Sequence, residues 1–434
     1  MIDFIEINTL FNIEKGSLQS TKCTEGGYDF ITASSEWKTH NEYTHDQEAL
    51  VVAVSASGSL GRVHYVKGKF ISSDLCFILT PKSIEHPVDL SFYYYIFRSI
   101  RDDLVKSTAT GTSKLAINKT NFGNYKLPYV DITKQRNFKN KLINVAERKE
   151  RLTESNEIQL NLIQTLRQQI LQDATTGKLS EKWRKENPDV DPAEILLGKI
   201  KAEKEKLTKE GKIRKQKKLP PINENETPFE LPDGWMWCRL GEVFQASDYG
   251  TSEKAYVSDE GVPVLGMGNI QDLKVILDAP KKLSLKSKDL PRLFLNKYDL
   301  LFNRTNSYEL VGKSAIFMGN DNQYTFASYL IRLSFNLNYI RPEYISYLIN
   351  SDWFRKYVVE PQIVQQTGQA NFNGTKLGES YVPLPPFNEQ AYLVNQVEKL
   401  LSQLNRVKEI NEDSKKILDI LNKSVFKEMF DKNE

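Results

Sequence analysis

Cysteine is scarce: Cys23, Cys76 and Cys238 stand far apart in 434 residues, with no CxxC pair and no neighbouring histidine. That excludes a disulfide framework and a zinc ribbon, and it suits a reducing compartment. Long apolar runs are missing as well. No stretch approaches the roughly 18 uninterrupted apolar residues of a membrane span, and Met1-Ile2-Asp3-Phe4-Ile5-Glu6 has no basic region followed by an apolar one. A soluble, cytoplasmic chain is expected. Neither sign of charge is in large excess, since the formal net charge is +3. Any surface for an anionic polymer must therefore come from local arrangement.

The motifs of catalysis are also absent. An adenine methyltransferase would hold its flipped base with an Asn/Asp-Pro-Pro-aromatic motif, but Pro220-Pro221 is followed by Ile222 and Pro385-Pro386-Phe387 is preceded by Leu384. Gly312-Lys313-Ser314 ends like a phosphate-binding loop, yet Ser307 stands where the first glycine belongs. His40, His45, His64 and His86 are scattered and suggest no metal site. No catalytic residue, metal or cofactor is expected of this chain.

What is present is enough for real cores: 40% hydrophobic and 11% aromatic residues, over a length that at about 150 residues per domain suggests two to three units. The chain is also written twice. Asn118, Thr120, Gly123 and Pro128 recur as Asn373, Thr375, Gly378 and Pro383, and Ser73 and Leu75 as Ser328 and Leu330, all at an offset of 255. Near the front, Ile7, Phe11 and Gly16 match Leu240, Phe244 and Gly250 at offsets of 233 to 234. The second copy is thus longer by about twenty residues between shared ends.

Each copy is followed by a segment without Pro or Gly, residues 133–176 and 387–434, as a long helix requires. A 4-3 spacing runs Phe138, Leu142, Val145, Lys149, Leu152, Asn156, Gln159, Ile163, Leu166, Ile170 in the first. In the second it runs Leu393, Val397, Leu400, Leu404, Val407, Asn411, Ser414, Leu418, Leu421, Val425. Such heptads indicate a coiled coil. If the helices pack antiparallel, Asn156 and Asn411 meet near a pseudo-two-fold axis and fix the register. A helix of about 40 residues is about 60 Å long at 1.5 Å per residue. The pair is then a ruler holding two heads apart, and half-sites on one DNA face lie about one turn, roughly 34 Å, apart.

The expected architecture is α/β (α+β). Residues 1–132 and 229–386 are two similar mixed α/β modules, joined by long antiparallel coiled-coil helices over 133–176 and 387–434. Residues 177–228 form a central charged linker with a short helix starting at Pro192. Within it, residues 178–218 carry 14 basic and 8 acidic side chains, so a solvated linker and a contact with DNA or a partner both stand open.

Between the apolar strands of both modules lie amide-rich and basic loops. Arg and Lys pair with guanine, Asn and Gln with adenine, Ser and Thr with either. Candidate DNA-binding residues are Ser57, Ser59, Arg62, Thr110, Thr112, Ser113 and Lys114 in the first module. In the second they are Asn303, Arg304, Thr305, Asn306, Gln365, Gln366, Thr367, Gln369 and Asn371.

The junction Leu166-Arg-Gln-Gln-Ile-Leu-Gln-Asp-Ala-Thr-Thr-Gly-Lys-Leu-Ser-Glu-Lys-Trp-Arg184, continuing through Pro220-Pro221 to Pro228-Phe-Glu-Leu-Pro-Asp-Gly-Trp235, resembles the specificity subunits of type I restriction-modification systems. The resemblance covers nearly the whole chain. It implies two target-recognition domains, each reading half of an interrupted double-stranded DNA target across a spacer set by the helices. It also implies two modification (methyltransferase) subunits docked on those helices, and separate restriction/translocase subunits. S-adenosylmethionine and ATP chemistry would belong to those partners. One departure is a front end that starts almost at its first strand. Competing expectations are a coiled-coil scaffold, which leaves the duplicated modules unexplained, and a solitary DNA-modifying enzyme, which lacks its motifs.

Overall fold

The computed structural model describes residues 3–431 except 57, 112–114, 224, 225, 367 and 368. Two compact units result: Met1–Gln159 with Glu409–Glu434, and Leu160–Lys408.

In the first unit the strand Asp3–Glu6 pairs antiparallel with Lys126–Tyr129, so the module begins and ends at one place. A helical turn, Ile7–Leu10, leads into a six-stranded sheet. Its order is Phe11–Lys15, Cys76–Pro81, His45–Ala53, Val63–Ser72, Tyr28–Ile31, Lys38–His40. Its central strand ends in an unbroken apolar run because both faces are covered. Leu50 and Val52 point into the cluster under the helix Leu90–Ser99, while Ala49, Val51 and Ala53 point into another. Asp89 caps that helix by accepting from the Phe92 amide. The buried Tyr93 on it meets Phe11 edge to face at 5.3 Å and donates to the Pro128 carbonyl at 3.2 Å.

The second unit repeats this plan. Met236–Arg239 pairs with Tyr381–Leu384, a turn Leu240–Val243 follows, and Phe244–Tyr249, Leu330–Phe335, Leu300–Asn303 and Ser314–Ile316 take the first four places of another six-stranded sheet. Tyr344 donates to the Pro383 carbonyl at 3.0 Å, the counterpart of the Tyr93 bond. Gly16 and Gly250 mark matching crossings. A Cβ would lie 2.1 Å from the Ser73 oxygen in one and 2.3 Å from the Ala327 oxygen in the other, where parallel bridges join Leu18 to Ser73 and Thr251 to Ala327. A separate small four-stranded sheet of Tyr256–Val257, Lys281–Leu283, Val262–Leu265 and Thr325–Phe326 lies in the same unit, and its parallel pair Val264 with Thr325 repeats the pairing of Asp29 with Phe70 in the first.

The long helices span Ile132–Thr175 and Phe387–Asp431. The first stops where Gly177 adopts φ 77°, a left-handed turn that glycine takes without strain. Of the heptad positions, Leu142, Ile163, Leu393 and Val397 are buried, whereas Leu152, Leu166 and Val407 are exposed.

The central linker departs from a solvated segment. Its helix Ala193–Lys209 turns Ala193, Leu196, Leu197 and Ile200 into the core of the second unit, beside Leu171, Trp235 and Val243. The i, i+3, i+4, i+7 spacing of these four makes one apolar face, while Lys199 and Lys201 are exposed. Just upstream, the buried Glu389 at the head of the second long helix accepts from Ser180 at 2.6 Å and from Arg184 at 2.7 Å. Lys204 is drawn inward to donate to the carbonyls of Gly241 and Glu242 and to Gln216. Burial pushes its ammonium down to about 8, against a smaller opposing pull from Glu242.

The unfolded chain keeps the Lys204 proton up to the ordinary lysine range, while the folded chain releases it above about pH 8. Across that window the unfolded state binds more protons, so this group's contribution to stability rises with pH. Thermal melts should show the wild type gaining on Lys204→Met between about pH 7.5 and about pH 9.5; a constant difference would contradict it.

Candidate nucleic-acid interface

Each module brings two loops together, and does so with the same bonds. In the first, the loop after strand His45–Ala53 is closed by the Ala53 amide on the Arg62 carbonyl and the Gly61 amide on the Ala53 carbonyl, both 2.8 Å. In the second, the loop after Leu300–Asn303 is closed by Asn303 on Lys313 at 2.8 Å and Gly312 on Asn303 at 2.9 Å. The partner loop is a hairpin, Ala109–Thr110 with Ala116–Ile117 in the first module and Val364–Gln366 with Gln369–Asn371 in the second. One amide ties each hairpin to its neighbour: Ile117 donates to the Val54 carbonyl and Phe372 to the Arg304 carbonyl, each at 2.8 Å. Immediately afterwards Asn118 and Asn373 cap short helices through their side chains. Their recurrence at an offset of 255 thus has a structural cause.

An arginine holds each first loop from beneath. Arg101 donates to the carbonyls of Leu60 at 2.8 Å and Gly58 at 3.0 Å. Arg355 donates to those of Val311 at 3.0 Å and Tyr308 at 2.6 Å. These two were not singled out from the sequence. Their offset is 254, one short of the repeat, because the intervening helices differ in form: Arg101–Thr108 is a regular α-helix, whereas Arg355–Val359 is a π-turn.

Thr110 is exposed at its hairpin, Ser59 is half-buried, and Asn306 is half-buried on the strand Thr305–Asn306, which pairs with Gln369–Asn371. Ser57, Thr112, Ser113, Lys114 and Thr367 lie outside the described residues. Gln365, Gln366 and Gln369 are placed in their hairpin by backbone pairing. Other candidates are committed to the module itself. Asn303 is 1% exposed and Thr305 7% exposed, facing inward on their strands, so neither side chain is available to a base. Asn371 is half-buried and accepts from Thr305 at 2.6 Å. Arg62 joins its loop to a second one by donating to the Ala33 carbonyl and to Ser59, both at 3.0 Å. Arg304 lies over the Tyr249 ring at 4.9 Å and donates to the Ser328 carbonyl. Sequence chemistry could not separate these from surface residues, because inward and outward positions alternate along a strand.

Near the first loop, Trp37 donates to His64 Nδ1 at 3.1 Å, which requires that nitrogen to be an unprotonated acceptor. Burial lowers the imidazole's pKa and the Arg62 guanidinium lowers it further, so the ring stays neutral. The thiol of Cys76 is pushed up to about 12 by burial. Among the described residues no group of three or more His, Cys, Asp or Glu is placed to hold a metal ion. The loops present hydrogen-bonding groups on a support tied by backbone and guanidinium hydrogen bonds.

The same duplication shows when the chain is compared with known families. A model of the type I restriction modification DNA specificity domain matches residues 2–161 and again residues 232–416. The chain belongs to this family. Among curated relatives, the type I restriction enzyme EcoEI specificity subunit of Escherichia coli is 31% identical over 252 residues, covering 57% of this chain and 41% of that protein. The EcoAI specificity subunit of the same species is 28% identical over 258 residues, 58% of this chain and 42% of that protein. The matches thus span less than half the length of these relatives. A solved structure concerned with complex assembly and conformational transition of the type I R-M system shares the fold, with a TM-score of 0.62, 16% identity and coverage of 99% of this chain and 97% of that one.

The arginine supports are testable within each module. Arg101→Ala should speed amide exchange in residues 58–62 roughly tenfold and leave residues 308–313 unchanged, and Arg355→Ala should do the reverse, as expected for loss of charge-assisted bonds. Exchange that stays the same in both loops would show that the loops hold their form without them.

Proposed function

We propose that the chain is the DNA-reading subunit of a type I restriction-modification complex, without a catalytic centre of its own. Each module reads one half of a bipartite double-stranded target, and the two long helices, lying antiparallel, set the unread spacer. The observation that carries this is the pair of coupled loops, joined by the same amide bond in both modules of a chain whose family model matches twice. Exposed Thr110 and the half-buried Ser59 and Asn306 are the described side chains best placed to meet bases. Ser57, Thr112, Ser113, Lys114, Gln365, Gln366, Thr367 and Gln369 remain candidates for base contact on their residue chemistry alone.

Opposite helix directions are supported by chain grouping, since the first long helix starts in one unit and ends in the other, and the second returns. Asn156 and Asn411 belong to the same unit and are both half-buried on otherwise exposed stretches, and the Asn411 amide nitrogen is enclosed without a partner among the described residues. That suits a register-fixing pair. The helices also carry exposed Leu152, Ile158, Leu162, Val407, Ile410 and Ile417, apolar surface of the kind two docked modification subunits would cover. Those subunits would supply methylation, and restriction/translocase subunits would supply translocation and cleavage. Among the described residues no helix is long and apolar enough to cross a membrane, in keeping with a cytoplasmic complex.

Sequencing of methylated adenines in cells that express this chain with its modification subunits should reveal one bipartite motif, which disappears when the chain is deleted. The chain alone, given DNA, Mg²⁺, ATP and S-adenosylmethionine, should turn over nothing; product formation would overturn the assignment. Binding by the complex should fall log-linearly with salt, in proportion to the phosphates neutralised. Inserting about four residues, one turn, into Ile132–Thr175 should lengthen the accepted spacer while both half-site sequences stay the same.

A further inference from the structure

At the head of each long helix sits a fully buried glutamine, Gln135 in the first and Gln390 in the second, at the repeat's own offset of 255. Both ends of each amide are used, and in matching ways. The Gln135 oxygen accepts from the Asp89 amide at 2.7 Å, and its nitrogen donates to the carbonyls of Val130 at 2.7 Å and Pro87 at 2.9 Å. The Gln390 oxygen accepts from the Arg341 amide at 2.9 Å, and its nitrogen donates to the Pro385 carbonyl at 3.0 Å. Asp89 and Arg341 are the cap residues of the helices that cover each sheet. Val130 and Pro385 follow the strands that close each module.

One side chain therefore clamps three pieces in each unit: the exit of the module, the start of its covering helix and the first turn of the long helix. We infer that Gln135 and Gln390 are positioning residues that set the angle at which each recognition module leaves its helix, and thereby the spacer length the protein accepts. The requirement is specific to glutamine. Glutamate would set a second oxygen against a carbonyl, asparagine is one carbon too short to bridge, and methionine fills the volume without either bond. Neither residue reaches the recognition loops, so base preference within a half-site does not depend on them.

This rests on the function proposed above, and the test separates the two. The full chain, assembled with its modification subunits, is titrated with duplexes bearing the methylated motif at its native spacer and at spacers one and two base pairs shorter or longer. The wild type should prefer the native spacer; if it shows no spacer preference, the bipartite reading itself fails. Gln135→Met and Gln390→Met should each reduce discrimination between native and altered spacers by about fivefold or more, the scale of one or two lost buried hydrogen bonds. Discrimination among bases within each half-site should stay as in the wild type. A uniform loss of affinity at every spacer, with the preference kept, would assign these residues to stability alone and overturn the proposal. Should the methionine variants fail to fold, Gln135→Glu and Gln390→Glu keep the length and remove the donor, and unchanged spacer preference in them is equally fatal.

Discussion

Two four-residue ladders hold this architecture together, Asp3–Glu6 on Lys126–Tyr129 and Met236–Arg239 on Tyr381–Leu384. An antiparallel pair places the first and last strands of a module side by side, so the chain leaves each module where it entered. Everything else inherits that geometry. The sheet, its covering helix and the loops form a closed excursion from one point, and the long helix departs from the same point. The buried tyrosines Tyr93 and Tyr344 seal the ladder from within by donating to the carbonyl of a ladder proline. Because proline has no amide hydrogen to offer, that strand relies on its carbonyl side for attachment.

Exposed loop positions and inward, supporting ones lie only a few residues apart. Arg62 and Arg304 have the chemistry of guanine readers, yet both donate to backbone carbonyls of neighbouring loops. Together with Arg101 and Arg355 they stiffen the edge on which other side chains stand. A loop must be over-determined by its surroundings if a few hydrogen bonds are to discriminate one base from another. Guanidinium groups suit that task because several donors in a fixed plane can satisfy more than one carbonyl. Asn303 and Thr305 belong to the same support, being strand residues that point into the module.

Much of the plan was legible in the sequence, for identifiable reasons. The Asn caps and ladder prolines recur at a fixed offset because both are local requirements that few residues satisfy. The long helices show in the absence of Gly and Pro. The supporting arginines were hidden by a one-residue slip between copies, and the glutamines by lying in stretches that read only as helix. The linker was harder still. Leu196, Leu197 and Ile200 are spaced for burial, but the lysines around them give the whole segment the composition of a solvated strap. Composition averages over a helix, whereas docking depends on one face of it.

The docked linker also changes how the polypeptide can be divided. Residues 193–209 are structural members of the second unit although they precede its first strand in the chain. A division of the gene between residues 210 and 219 would therefore leave the upstream product carrying a piece of the downstream product's interior. The two products would be obligate partners, joined through Leu196, Leu197, Ile200 and the Arg184–Glu389 ion pair, and the downstream one alone would expose the apolar bed those side chains now fill.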